Sequence, residues 1–169
     1  MATEVLVLMG SASDLEQMRA AVEVLDSLGV RREVHVTSAH RTPERTRELL
    51  RRAEAAGCRV ILCGAGMAAH LAGVVAAHTR LPVLGVPLEG GILDGLDALL
   101  ATVQMPPGVP VATFGVGAAG ARNAAFFAAR IVAAHRPEVA RALEAAWSRA
   151  QERVAQGEAR VLRALEDGS

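Results

Sequence analysis

The sequence predicts an α/β chain, a parallel sheet covered by helices on both faces, and three observations carry that prediction. Short apolar runs alternate with helix-length segments through nearly all of the 169 residues. The runs are apolar on both faces, as strands buried between two helical layers are. The polar residues with chemical potential gather where a run ends and a helix begins, the edge at which doubly wound sheets bind ligands.

The elements follow in order. Residues 4–9 form a buried strand stopped by Gly10. Ser13 and Asp14 offer N-cap oxygens, and Leu15, Met18, Val22, Leu25 and Leu28 then recur at helical spacing until Gly29. Residues 30–37 alternate as a second strand. Thr42-Pro43 opens a helix ending at Gly57, because proline in a first turn has no N–H partner to lose. A third strand, 59–63, runs into Gly64-Ala65-Gly66 and a helix over 67–78. The fourth strand, 81–86, precedes a glycine-rich loop over 89–93 and a helix over 94–103. Beyond Met105-Pro106-Pro107 lie a fifth strand, 109–116, a helix over 118–134, and a last helix opened by Pro137 and running to about Leu165. No linker, low-complexity tract or repeat divides the pattern. Residues 1–169 therefore read as one catalytic domain, long enough to bury roughly two-thirds of its unfolded surface.

Composition narrows the function. Hydrophobic residues make up 51% of the chain and aromatic residues 2%, so alanine, valine, leucine and isoleucine must build the core. The formal net charge is zero, which is not the balance of a general nucleic-acid binder or an anionic-membrane binder. All 18 basic residues are arginine, so neither a Schiff-base lysine nor a P-loop lysine is available. Cys58 and Cys63 flank a strand whose extended length, about 16 Å, far exceeds the 4.4–6.8 Å or so of a disulfide. Two buried thiols fit a reducing cytoplasm, and no metal-ligand spacing is present. No basic-then-apolar leader opens the sequence, and no apolar run reaches the ~18 residues of a membrane span.

Two turns stand out. Met9-Gly10-Ser11-Ala12-Ser13-Asp14 and Ser38-Ala39-His40-Arg41-Thr42-Pro43 each join a strand end to a helix start, where unpaired N–H groups and the helix dipole favour an anion. Ser11 and Ser13 can cap the helix and bind phosphate at once, since both uses satisfy the same N–H groups. Asp14 repels phosphate and suits sugar hydroxyls. Arg41 offers a planar donor fork to phosphate, beside Ser38. His40 is the candidate general acid and base.

A third turn, Gly64-Ala65-Gly66-Met67-Ala68-Ala69-His70, permits close backbone approach, either of a ligand or of a helix onto the sheet. His70 is given a supporting role, touching the ligand or capping; His35, His78 and His135 are given none. Gly115-Val116-Gly117-Ala118-Ala119-Gly120 fits a dinucleotide fingerprint. Yet no strand with an acidic end follows, so tight packing or a ligand-facing loop is the preferred reading. In the last helix Val139, Leu143, Trp147, Ala150, Val154, Val161 and Leu165 fall along one stripe, longer than a small sheet can cover. Part of 137–165 is expected on a neighbouring subunit.

Taken together, these turns resemble the class I N5-carboxyaminoimidazole ribonucleotide mutase family of purine biosynthesis. The likeness continues through Ala68-Ala69-His70-Leu71, Leu93-Asp94-Gly95-Leu96-Asp97, Val103-Gln104-Met105-Pro106, Gly117, Ala119-Gly120-Ala121 and Asn123-Ala124, spanning residues 9 to about 130. The family's segment GAGGAAHLPG differs here at Met67 and Ala72, both in the loop that the resemblance implies shapes the carboxylate and CO2 pocket. The resemblance implies a three-layer α/β/α, flavodoxin-like fold and a homo-octamer with no metal and no organic cofactor. It also implies a ribonucleotide substrate supplied by an ATP-dependent carboxyaminoimidazole ribonucleotide synthetase. It places Ser11, Ser13, Ser38 and Arg41 at the phosphate, Asp14 at the ribose, and His40 at the proton. Gly64, Ala65, Gly66, Ala68, His70 and Leu71 would shape the carboxylate pocket. The alternatives are a direct carboxylase of aminoimidazole ribonucleotide, a nucleotide-binding sensor of the same fold, and a structural oligomer.

Overall fold

The computed structural model describes residues 3–167. Five strands form one parallel sheet in the order β2-β1-β3-β4-β5. They are β1 (Val5–Met9), β2 (Arg32–Val36), β3 (Val60–Ala65), β4 (Val83–Pro87) and β5 (Ala112–Thr113). The helices are α1 (Leu15–Ser27), α2 (Pro43–Ala55), α3 (Leu71–Ala76), α4 (Leu96–Val103), α5 (Gly117–Ala133) and α6 (Pro137–Asp167). The chain steps outward to β2 on one side of β1 and to β3 on the other. The strand order reverses there, so the turns after β1, β2 and β3 share one edge around the reversal.

Alternate residues of each strand enter two cores. Val5, Val7, Met9, Val60, Leu62, Leu84 and Val86 face α1 and α5. Leu6, Leu8, Ile61, Cys63 and Val83 face α2 and α3. The face of α5 is alanine: Ala121, Ala124, Ala125, Ala128 and Ala129 are fully buried. Such small side chains bring α5 close against α1 and the sheet. The first turns of α6 join this layer through buried Val139 and half-buried Leu143 and Ala146. Farther along, Trp147, Val154, Val161, Leu162 and Leu165 are exposed.

Several boundaries differ from the sequence reading, each for a local reason. Helix α3 begins at Leu71 and not at residue 67, because Met67 is left-handed at φ +52° and the following residues form a turn. Helix α4 waits until Leu96, because Asp94 and Gly95 also have positive φ. Strand β5 keeps two residues of the expected eight. Pro110 has no N–H for the ladder, and the chain then leaves the sheet at Gly115 so that Gly120 can approach. The first helix is capped earlier than expected. Ser11 caps a short 3-10 turn, Ala12–Asp14, and Asp14 closes a capping box on it.

At the opposite edge, buried Glu4 ties three connections together. Its carboxylate accepts from the Arg31 side chain at 2.9 Å, from the Arg31 N–H at 3.0 Å and from Arg136 ahead of α6, while its carbonyl accepts from Arg59 N–H at 2.9 Å. Burial alone would raise this carboxyl; the Arg31 bonds and Arg136 outweigh it and hold the group at about 2.

Two outcomes follow from this packing. An added Cβ on Gly120 would sit 1.6 Å from the Gly115 carbonyl oxygen, so Gly120→Ala should cost at least about 2–3 kcal/mol in denaturant unfolding. The folded Glu4 carboxyl lies below its ordinary 4.5, so its contribution is complete above that pH and is lost as pH falls toward 2. Glu4→Gln should lower stability at neutral pH by about 1–3 kcal/mol and show a shallower decline between pH 4.5 and 2, read by thermal melts across that range.

Candidate active site at the carboxyl edge of the sheet

A cleft of about 600 Å³ opens at the strand-order reversal. The turn after β1 supplies Gly10, Ser11, Ser13 and Asp14; the turn after β2 supplies Ser38, Ala39, His40 and Arg41. Ala65, Gly66, Met67, Ala68 and Leu71 come from the end of β3 and the turn beyond it, and Glu89, Gly90 and Gly91 from the loop after β4.

The first turn is held by its own polar groups. Asp14 Oδ2 accepts from Ser11 N–H at 2.9 Å, and the Ser13 hydroxyl donates to Ser11 Oγ at 2.9 Å. Gly10 N–H reaches the Gly64 carbonyl at 3.1 Å, continuing the β1–β3 ladder into the turn. Half-burial pushes the Asp14 carboxyl up, against the Ser11 and Gly10 N–H groups that pull it down. The second turn also closes on itself. Ser38 N–H donates to Thr42 Oγ1 at 2.9 Å, and Arg41 N–H donates to Ser38 Oγ at 3.2 Å. Beneath it, the buried Thr37 and Thr46 hydroxyls pair at 2.8 Å. His40 and Arg41 are exposed at the tip.

The contact that unites the site is between His40 Nε2 and His70 Nδ1, 2.9 Å apart with the rings edge-on at 89°. At that distance one ring nitrogen donates and the other accepts, so each ring fixes the other's orientation. His70 can do this because it ends the turn and N-caps α3, directly before buried Leu71.

Not every residue singled out from the sequence reaches the cleft. Gly64 lies inside β3 and is absent from the cleft lining; a Cβ there would stand 2.4 Å from the Met18 sulfur, so its space is taken by α1 packing. His70 meets His40 and is likewise absent from the lining. The glycines after β5 sit outside the cleft too: Gly120 packs on Gly115, and Gly117 faces the Glu89 carboxylate. Met67, which the resemblance puts in the pocket-shaping loop, does line the cleft, and Ala72 does not; Glu89, Gly90 and Gly91 line it without having been assigned to it. The glycine-rich loop after β4 was visible, and any turn following a parallel strand belongs to the same edge. Among the described residues, no group of three or more His, Cys, Asp and Glu is placed to hold a metal ion, and no helix is long and apolar enough to cross a membrane.

Fold and site together define an α/β protein with an anion-suited, histidine-bearing cleft at a sheet edge. The chain belongs to the AIR carboxylase family, whose sequence profile matches residues 4–153. It is 53% identical over 133 residues to the N5-carboxyaminoimidazole ribonucleotide mutase of Pyrococcus abyssi, covering 79% of this chain and 75% of that one. With the Bacillus subtilis protein of the same name it shares 51% over 138 residues, 82% of this chain and 85% of the relative. Among solved structures, Treponema denticola PurE superposes with a TM-score of 0.84 at 24% identity, covering 94% of this chain and 98% of its own. That likeness establishes the fold.

Proposed function

We propose that this protein converts N5-carboxyaminoimidazole ribonucleotide into 4-carboxy-5-aminoimidazole ribonucleotide, a step of purine biosynthesis. The observation that carries the reading is the placement of His40, hydrogen-bonded to His70, in a cleft otherwise walled by hydroxyls, an arginine and exposed backbone. The names of the relatives support the substrate.

The roles follow from chemistry. Ser11, Ser13, Ser38 and Arg41 are donors suited to the phosphate. Asp14 already spends one oxygen on Ser11 N–H and offers the other to ribose hydroxyls. Ala65, Gly66 and Ala68 admit the ring without steric conflict, Leu71 gives an apolar floor, and Gly64 leaves room for Met18 beneath. His40 as acid protonates the carbamate nitrogen as the N–CO2 bond breaks, the electron pair staying on nitrogen. The electron-rich ring carbon C4 then attacks the freed CO2, and His40 as base takes the C4 proton. The proton account closes on one residue, and the net reaction is an isomerisation requiring neither ATP nor an electron carrier. His70 positions the His40 ring throughout.

In this reading residues 1–169 act as one catalytic domain, and the exposed apolar stripe of α6 within 137–165 packs on a neighbouring subunit in a homo-octamer. An ATP-dependent carboxyaminoimidazole ribonucleotide synthetase supplies the carbamate. Location in the cytoplasm fits the buried free thiols of Cys58 and Cys63.

The family's name also covers carboxylation by CO2 itself, so the deciding assay has two substrates. Purified protein given the fresh carbamate, without ATP, should form the 4-carboxy product far faster than it does from aminoimidazole ribonucleotide and bicarbonate. His40→Asn should lose at least ~10²–10⁴ of that rate. His70→Ala keeps the acid but frees its ring, and should lose about 10-fold. Efficient use of bicarbonate would move the protein to the direct carboxylases, and no turnover of either substrate would leave a nucleotide-binding protein.

A further inference from the structure

Thr42 ends the turn after β2 and stands at the N-cap of α2, directly before Pro43. A threonine there ordinarily turns its oxygen onto an N–H of the helix's first turn, which stabilises the helix. This one does not. Its side chain makes no cap bond to α2, and its hydroxyl is engaged on the other side, with the turn that carries His40 and Arg41.

Thr42 Oγ1 accepts from Ser38 N–H at 2.9 Å and donates to the Ser38 carbonyl at 3.2 Å; that carbonyl also accepts from Thr42 N–H at 2.9 Å. Both ends of the turn are thereby clasped together, and Ala39, His40 and Arg41 are held between them at the cleft. The Ser38 hydroxyl adds a strut inside the loop by accepting from Arg41 N–H at 3.2 Å. Below the clasp, Thr42 Oγ1 stands 3.3 Å from Thr37 Oγ1, which pairs with Thr46 Oγ1 at 2.8 Å. Thr37 and Thr46 are buried, and Thr37 N–H donates to the Met9 carbonyl at the end of β1 at 2.8 Å. Hydroxyls taken out of water are unfavourable unless hydrogen-bonded, and here they form a footing that joins the clasp to the sheet. Thr42 itself is exposed and absent from the cleft lining, so any effect it has on chemistry passes through the residues it holds.

We infer that Thr42 is a positioning residue of this site, whose hydroxyl fixes the His40 imidazole relative to the phosphate seat at Ser38 and Arg41. The inference rests on the reaction proposed above, in which His40 moves the proton while Ser38 and Arg41 hold the phosphate. His70 fixes the ring of His40 but not the backbone beneath it. The clasp supplies that second constraint. Without the hydroxyl, Ser38 N–H loses its side-chain acceptor, and the turn keeps only the Thr42 N–H bond across its base. Proton transfer within a bound substrate tolerates little misplacement, whereas the phosphate still has Ser11 and Ser13. The loss falls on turnover more than on affinity.

The test compares the wild type with Thr42→Val, which keeps the branched shape without the hydroxyl, and Thr42→Ser, which keeps the hydroxyl. Thr42 does not cap α2, so the valine removes no helix cap. Calorimetric titration with 4-carboxy-5-aminoimidazole ribonucleotide counts the binding sites in each preparation, and turnover of the carbamate is expressed per site. Thr42→Val should lose about 10-fold or more in kcat per site with KM within about three-fold, and Thr42→Ser should recover most of that loss. A substitution that only weakens the fold lowers the site count and leaves turnover per site unchanged. That result, full turnover by Thr42→Val, or no recovery in Thr42→Ser overturns the role of Thr42 and leaves the reaction standing. A wild type that binds the ribonucleotide without turning over the carbamate overturns the reaction, and this inference with it.

Discussion

The candidate site depends on the hydrogen bond between His40 and His70, and that bond depends on how little side chain stands between them. The two histidines follow β2 and β3, which β1 separates, so their backbones start about two strand spacings apart, near 10 Å. The turn after β1 lies between them and opens with Gly10, whose missing Cβ would face Asp14 Oδ2 at 3.5 Å and the Ala65 Cβ at 3.7 Å. Ala39, Ala65, Gly66 and Ala68 continue the sparse lining on either side. A Cβ alone would make ordinary contact there, but a side chain reaching beyond it would meet the Asp14 carboxylate that orders Ser11 and Ser13. Hydroxyl cluster and imidazole pair are in this sense one construction.

The rest of the fold holds that edge still. Buried alanines let α5 lie close on α1 and the sheet, and Gly64 gives the Met18 side chain a seat directly under the cleft. At the far edge Glu4 binds the approaches to β2, β3 and α6 through Arg31, Arg59 and Arg136. The polar turns are self-satisfied by short side-chain bonds, so they need no ligand to keep their shape. Preorganisation of that kind suits a reaction in which a small neutral intermediate must be captured before it leaves.

Much of this was legible in the sequence. Apolar runs alternating with helices fixed the class, and Ser11, Ser13, Asp14, Ser38, His40 and Arg41 all line one cleft, as turns at one edge of a parallel sheet must. The pairing of His40 with His70 was not legible, because the residues are thirty apart in sequence and meet only through the β2-β1-β3 order. Boundaries failed where backbone sign governs. Neither Met67 nor Asp94 announces a positive φ, and they delay their helices by four residues and by two. The loop after β4 was seen as glycine-rich but not joined to the cleft; the Gln17–Glu89 clasp that holds it links positions 72 apart. Gly64 was grouped with the ligand-approaching glycines, since sequence does not tell a glycine that admits a ligand from one that admits a methionine.

The account's central claim is spatial: phosphate at the serine–arginine turns, reacting ring at the histidine pair. The most direct test is a crystal structure of the protein with 4-carboxy-5-aminoimidazole ribonucleotide. The account predicts the phosphate among Ser11, Ser13, Ser38 and Arg41, the ribose at Asp14, and the ring carboxylate beside His40. A phosphate bound instead at the glycine-rich start of α5, with His40 out of reach of the ring, would contradict it.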